Sequence, residues 1–264
     1  MTPVEVIRGE GPVVLAMPHG GTWLPPGVHD ALNDNGRRLA DTDWHIARLY
    51  EGLLPGATLV RATVHRYAID ANRDPTGASL YPGQNTTGLI PLTDFDGHPI
   101  WAQPPGPADA AARLAAFHAP YHAALTAEME RVRNAWGVAV LYDCHSIRSE
   151  IPFLFPGKLP DFNIGTNGGL TCDPRIADAA ETIGRAAGTT VVNGRFRGGW
   201  TTRHYGRPRD GWHAIQMELA QSTYLATEEP PFAWDETRAA RLRPVLSALL
   251  TRIEEIALSM GAHA

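Results

Sequence analysis

Three apolar runs in this chain end abruptly in polar or charged residues, and that repeated ending constrains the fold more than any other feature. Residues 13–17 ("VVLAM") stop at Pro18-His19-Gly20-Gly21, a β-rich run over 58–69 stops at "DANRDP" with Asn72 and Arg73, and 138–142 stops at Asp143-Cys144-His145. Short Val/Ile/Leu-rich runs bounded by turn residues have the pattern of buried strands. Apolar spacing predicts helices over 41–53 (Ile46, Leu49, Tyr50 and Leu53 on one side), 109–135, 174–187 and 236–257, with Pro120 a kink or break in the second. Further strands are expected over 189–192 and 213–219. Strands alternating with helices imply an α/β protein with a largely parallel or mixed sheet. Ligands of such sheets gather at the carboxyl ends of the strands, so His19, Asn72, Arg73 and His145 are expected to share one rim. Residues 74–106 are rich in Gly, Pro, Thr and Asp without a sustained period. Loops of that length inside a compact domain are usually functional.

The 264 residues contain no repeat or long linker and are read as a single domain over 1–264. A formal net charge of -5 gives no footprint for nucleic acid. The N-terminus lacks the basic start and apolar stretch of a signal peptide, and no apolar run approaches the ~20 residues needed to span a bilayer. Two cysteines, Cys144 and Cys172, are too few for a disulfide scaffold of this size. The expectation is a soluble cytoplasmic protein with neither nucleic-acid nor membrane partners.

Asp143-Cys144-His145-Ser146 offers several chemistries. Cys144 and His145 are neighbours on an extended segment and point to opposite faces, which disfavours a Cys–His dyad between them. Ser146 lacks the Gly-x-Ser-x-Gly elbow that exposes a serine nucleophile. A metal site fits better: two imidazoles, His19 and His145, with one carboxylate from "ADTDWH", either Asp41 or Asp43, would complete a His₂-carboxylate set. Asp143 shares the face of His145 and suits a hydrogen-bonding partner to a ligating imidazole. His45, His65, His118 and His122 lie in helical or strand patterns and are read as structural. On 213–219, Gln216 and Glu218 face one side, Ile215 and Met217 the other. A carboxylate there is costly to bury without a task, so Glu218 is a candidate general base. Arg73, Arg148, Arg197 and Arg203 occur in polar settings that suit an anionic small substrate, and Gly198-Gly199 suggests close approach to a ligand.

The segments "MPHGGTWLP", "LADTDWHIARLY", "IDANRDPTGASLYPGQNTTGL", "YDCHSIRSEIPFLFPGKLPDFNIGTNGG", "FRGGWTTRHYGRP" and "HAIQMELAQSTY", in that order, resemble the N-formylglutamate amidohydrolase (N-formylglutamate deformylase) family over about Val13 to Tyr224. The resemblance implies a fold related to zinc carboxypeptidases and aspartoacylases: a three-layer αβα sandwich around a mixed, largely parallel sheet. It implies a Zn²⁺-dependent amidohydrolase of histidine degradation that releases formate from N-formyl-L-glutamate, a small dianionic substrate. Position by position, His19 and His145 resemble the histidine ligands, Glu218 the water-activating carboxylate, and Asn72-Arg73 the pair that holds a substrate carboxylate. Thr22 stands three residues after His19, where the carboxypeptidase pattern has its glutamate ligand. That task falls to Asp43, with Asp41 in reserve. Arg148 is expected as a substrate or oxyanion contact, with Arg197 and Arg203 against the substrate. The alternatives are a relative acting on another N-acyl acidic amino acid and a non-catalytic, metal-dependent carboxylate-binding protein.

Overall fold

A computed structural model describes residues 2–79 and 83–261; Leu80 to Pro82, within the long 74–106 segment, lie outside the described residues. Seven strands form one mixed sheet: β1 (Val4–Ile7), β2 (Val13–Met17), β3 (Thr58–Ala62), β4 (Ala139–Ile147), β5 (Phe162–Gly165), β6 (Thr190–Val192) and β7 (Trp212–Ala220). Their order is β1-β3-β2-β4-β7-β5-β6. The centre, β3-β2-β4-β7, is parallel; β1 joins β3 and β5 joins β7 antiparallel, and β6 runs parallel to β5. The helices are α1 (Pro26–Ala31), α2 (Asp34–Arg37), α3 (Ile46–Tyr50), α4 (Pro107–Arg113), α5 (Ala119–Trp136), α6 (Pro174–Ala187), α7 (Trp200–Tyr205) and α8 (Glu236–Gly261).

Period-two alternation sorts the strands onto two cores. Val140, Tyr142 and Cys144 of β4 and Ile215, Met217 and Leu219 of β7 pack with α3, α6 and α8. Ala139, Leu141 and Ala214 face the other way, against Tyr121, Leu125, Met129 and Val132 of α5 and Tyr205 of α7. The result is the expected three-layer αβα sandwich. Each fully buried leucine or valine contributes roughly 1.5–3 kcal/mol, so these two faces dominate the stability.

Four elements differ from the sequence expectation, and each difference shapes the site. The 41–53 helix shortens to α3 because His45 adopts a left-handed φ of 58° and residues 41–44 form turns. In that turn the Asp43 N–H donates to the His19 carbonyl at 3.1 Å, bringing "ADTDWH" alongside the end of β2. The 58–69 run leaves the sheet at Ala62 and turns at 65–68, fixed by the Ala68 N–H on the His65 carbonyl. By contrast β4 continues through Asp143, Cys144 and His145 to Ile147, since its full length pairs with β7. The 109–135 helix contains a π-turn, Leu114–His118, where the Ala119 N–H reaches back to the Leu114 carbonyl. Pro120, which has no N–H to give, follows at once.

Candidate active site

β4 and β7 are in register, with His145 opposite Glu218 and Asp143 opposite Gln216. All four side chains lie on the α5/α7 face. His19 follows β2, next to β4, and the 41–44 turn adds Asp43. His19, Asp43 and His145 are each at most 3% exposed, and one ligand atom from each lies within 4.8 Å of the others. Asp43 Oδ2 is 3.2 Å from His145 Nδ1 and 3.9 Å from His19 Nδ1. It also accepts the Ser146 N–H at 3.1 Å, which fixes its direction.

The far nitrogens of both rings meet carboxylates. His19 Nε2 donates to Asp70 Oδ1 at 2.7 Å. His145 Nε2 is 3.0 Å from Asp143 Oδ1, with the Asn72 amide nitrogen 3.1 Å away. Each imidazole thus turns Nδ1 towards Asp43 and has a carboxylate near its Nε2, the arrangement that metal-ligating histidines use. The carboxylates gathered around the two rings favour positive charge among them. Burial would lower the basicity of His145, but Asp143, Asp43 and Glu218 outweigh it and hold the ring well above its ordinary range. The donor set therefore fits a divalent metal of the zinc type. Asp41, the reserve ligand, turns away: its Oδ2 accepts the Phe95 N–H at 3.0 Å, and burial pushes its pKa up to about 7.

Glu218 is buried beside this cluster. Burial, opposed by His145 and reinforced by Asp43, pushes its carboxyl up to about 8. Gln216 sets its direction, since the Gln216 oxygen accepts the Gly199 N–H at 2.7 Å and its amide nitrogen then donates to Glu218 Oε2 at 3.2 Å.

Asp70 and Arg66, both on the 65–70 turn, were not singled out from the sequence. Arg66 Nη2 donates to Asp70 Oδ2 at 2.6 Å, and its guanidinium lies over the Phe95 ring, 4.8 Å from the centroid. Burial would raise the pKa of Asp70, but Arg66, Arg73 and His19 hold it well below the carboxylate range, so it remains ionised. The spacing of four between Arg66 and Asp70 was the one available signal.

His19, His145, Gln216 and Glu218 line a pocket of about 590 Å³, including its open mouth. Asn72, Arg73 and Arg66 contribute polar wall, Asn85, Thr86 and Thr87 a loop edge, Phe95, Ile147, Leu154 and Phe196 an apolar side, and Arg195 a further cation. Asn72 is clamped: its oxygen accepts the Thr201 N–H at 2.9 Å, and its amide packs so closely that a Cβ on Gly199 would meet it at 2.3 Å. The paired glycines thus admit protein neighbours, Gly199 the Asn72 amide and Gly198 (φ 104°) the Thr202 side chain, which a Cβ would meet at 3.2 Å.

Three expected residues are not brought to this wall. Arg148 donates to Asp96 at 2.7 Å, Arg203 Nε donates to the Gly198 carbonyl at 2.9 Å, and Arg197 extends towards Gly168. The four histidines read as structural all meet hydrogen-bonding partners. His45 faces the Phe232 carbonyl and His65 the Thr42 hydroxyl. His118 and His122 face the carbonyls of Arg73 (3.0 Å) and Ala71 (2.7 Å), holding the Asn72-Arg73 turn from behind. Cys144 lies in the opposite core, its thiol pushed well up by burial, and is no nucleophile for this pocket.

A three-layer α/β fold with a His/Asp/His cluster and a buried carboxylate at adjoining strand ends fits a hydrolase, and the family and relatives that follow make it an amidohydrolase. The N-formylglutamate amidohydrolase family model matches residues 11–225. An N-formylglutamate deformylase of Pseudomonas aeruginosa is 45% identical over 248 residues, covering 92% of each chain. One of Pseudomonas putida is 45% identical over 261 residues, covering 97% of this chain and 96% of its own. The crystal structure of N-formylglutamate amidohydrolase from Ralstonia eutropha superposes with a TM-score of 0.79 at 27% identity, over 100% of this chain and 98% of the other. The chain belongs to the N-formylglutamate amidohydrolase family.

Proposed function

We propose that this protein hydrolyses N-formyl-L-glutamate to formate and L-glutamate in the cytoplasm as a step of histidine degradation, with a divalent cation, zinc by preference, held by His19, Asp43 and His145. The observation that carries the reading is the convergence of His19 Nδ1, His145 Nδ1 and Asp43 Oδ2 beside Glu218. Bound there, the cation supplies Lewis acidity for a carbonyl and lowers the pKa of water towards ~7.

The remaining work belongs to this chain's own groups. Glu218 takes a proton from the attacking water at a carboxylate oxygen and passes it to the departing amine nitrogen as the C–N bond breaks. Burial pushes its carboxyl up to about 8, and a cation on the adjoining cluster would favour the ionised form that accepts the proton. Gln216 keeps the carboxylate aimed, and Asp70 and Asp143 hold the two imidazoles in orientation. Arg66 presents fixed positive charge for the developing oxyanion. Asn72 and Arg73 receive a substrate carboxylate, and Phe95, Ile147, Leu154 and Phe196 keep bulk water from the reacting atoms. Arg148, Arg197 and Arg203 are given no part.

The test follows formate release from N-formyl-L-glutamate and N-acetyl-L-glutamate together with metal content. Glu218→Gln is expected to retain the metal and lose formate release. Unchanged turnover in that variant, or full activity in metal-free protein, overturns the proposal.

A further inference from the structure

Of the three arginines on the pocket wall, Arg66, Arg73 and Arg195, the last two keep different company. Arg73 rides on the turn whose Asn72 touches His145, and its Nη1 lies 3.8 Å from Asp70, the carboxylate behind His19. Arg195 comes from the 193–199 segment between β6 and α7. Its Nε donates to the Leu154 carbonyl at 3.1 Å, its Nη2 donates to the Asn85 carbonyl at 2.8 Å, and its guanidinium carbon lies 5.5 Å from the Phe196 ring centroid. Arg73 also reaches the 85–87 loop, its Nε donating to the Thr87 carbonyl at 2.8 Å, but of the two it alone approaches the Asp70 behind His19. Arg73 is therefore the cation nearer the reacting atoms, and Arg195 the distal one.

We propose that Arg195 is the specificity-determining residue for a second, distal carboxylate, the side-chain carboxylate of an acidic N-acyl amino acid. The inference rests on the dianionic substrate proposed above and says which cation reads its far end. In an N-acyl glutamate the α-carboxylate adjoins the amide nitrogen, and the side-chain carboxylate lies two methylenes further out. With the acyl carbon beside His19, His145 and Glu218, the near carboxylate falls to Asn72-Arg73 and the far one to the cation beyond them. Two backbone carbonyls and an aromatic face fix the plane of the Arg195 fork before any ligand arrives, so little entropy is lost on forming a carboxylate pair. Leu154, Phe196, Ile147 and Phe95 make that part of the wall apolar, where a charge-assisted pair is stronger than in open water. A substrate with a neutral far end forgoes that charge-assisted pair, which is how such a site prefers the diacid.

The experiment compares kcat/KM for N-formyl-L-glutamate and its neutral isostere N-formyl-L-glutamine in the wild type, Arg195→Gln and Arg195→Lys. The wild type is expected to prefer the diacid by on the order of 10²-fold, Arg195→Gln to bring that ratio towards one through KM, and Arg195→Lys to fall between. A loop staple without contact to substrate would lower both substrates alike and leave the ratio intact, which overturns the proposal while the dianionic reading stands. A wild type with no preference removes both together. Should Arg195→Gln fail to fold, Arg195→Lys answers through competitive inhibition by glutarate against butyrate, where loss of the wild-type preference for glutarate supports the assignment and full retention overturns it.

Discussion

The candidate site has a strand-borne half and a loop-borne half, and they obtain their geometry differently. Asp143, His145, Gln216 and Glu218 sit on two paired strands, so the β4/β7 register places each opposite its partner. A one-residue slip would exchange the whole polar set for the core face, so this half is specified by the fold itself. Arg66, Asp70, Asn72, Arg73 and Arg195 sit on turns and loops, and each is held by its own contacts: Asp70 by Arg66, Asn72 by Thr201 and the space at Gly199, Arg195 by Leu154 and Asn85. Chemistry is best placed on the rigid half, and recognition on the half where single contacts can change without disturbing the sheet.

Substitutions sharpen that division. Glu218→Gln, on the strands, should cost about 10²–10⁴-fold in kcat with metal content and melting temperature nearly unchanged, since shape is preserved and only the proton carrier is lost. The two outer carboxylates then form a direct contrast. Asp143→Asn and Asp70→Asn should each weaken metal retention by about 10–100-fold. Asp70→Asn also strands the buried Arg66 guanidinium, so it should cost about 3–5 kcal/mol in denaturant unfolding, well beyond Asp143→Asn. Equal losses would mean that Asp70 contributes no more to the turn than Asp143 does to the strand.

Gly199→Ala tests the clamp on Asn72. The φ of Gly199 is -75°, so space alone excludes the methyl. A loss of about 1–3 kcal/mol with a raised KM is expected, and unchanged kinetics would show that Asn72 has room to give.

The buttress behind the turn has a pH signature. Burial, with His118 and His204 adding and the Ala71 carbonyl opposing, lowers the His122 pKa to about 3. Its imidazole stays neutral when folded, while the unfolded chain takes up a proton near pH 6.5. The unfolded state therefore binds more protons between pH 6.5 and 3, and stability falls as pH drops through that window. His122 contributes at most about 1.4 kcal/mol per pH unit to that slope. His122→Gln should flatten the acid limb, read by urea unfolding at pH 7 and pH 5. Leu170, 70% exposed on a turn away from the pocket wall, sets the floor: Leu170→Ser should stay within about ±0.5 kcal/mol with unaltered kinetics.

The same division decides what the sequence could convey. Alternation put Cys144 behind His145 and grouped Gln216 with Glu218, because period two survives in the residue order. His19 and Asn72-Arg73 were marked by the ends of apolar runs. Arg66 stayed hidden because its run read as strand through Ile69, whereas the chain turns at 65–68 and swings the guanidinium beneath His19. In "GRFRGG" two arginines stand two apart, and only the path of the 193–199 loop sends Arg195 to the pocket and Arg197 towards Gly168. Proximity to His145 in the sequence makes Arg148 a candidate substrate or oxyanion contact, whereas its guanidinium pairs with Asp96 and is not part of the pocket wall.

The π-turn at Leu114–His118 carries a consequence for chain length. It holds one residue more than an ordinary helical turn, and under-winding absorbs that surplus. Removing one residue, Ala115 for instance, would therefore let the segment close into a regular helix with the phase on either side nearly kept. His118 and His122 would still meet the carbonyls of Arg73 and Ala71. Length variation at this point would be taken up in the helix that bears it and stay silent in the binding turn.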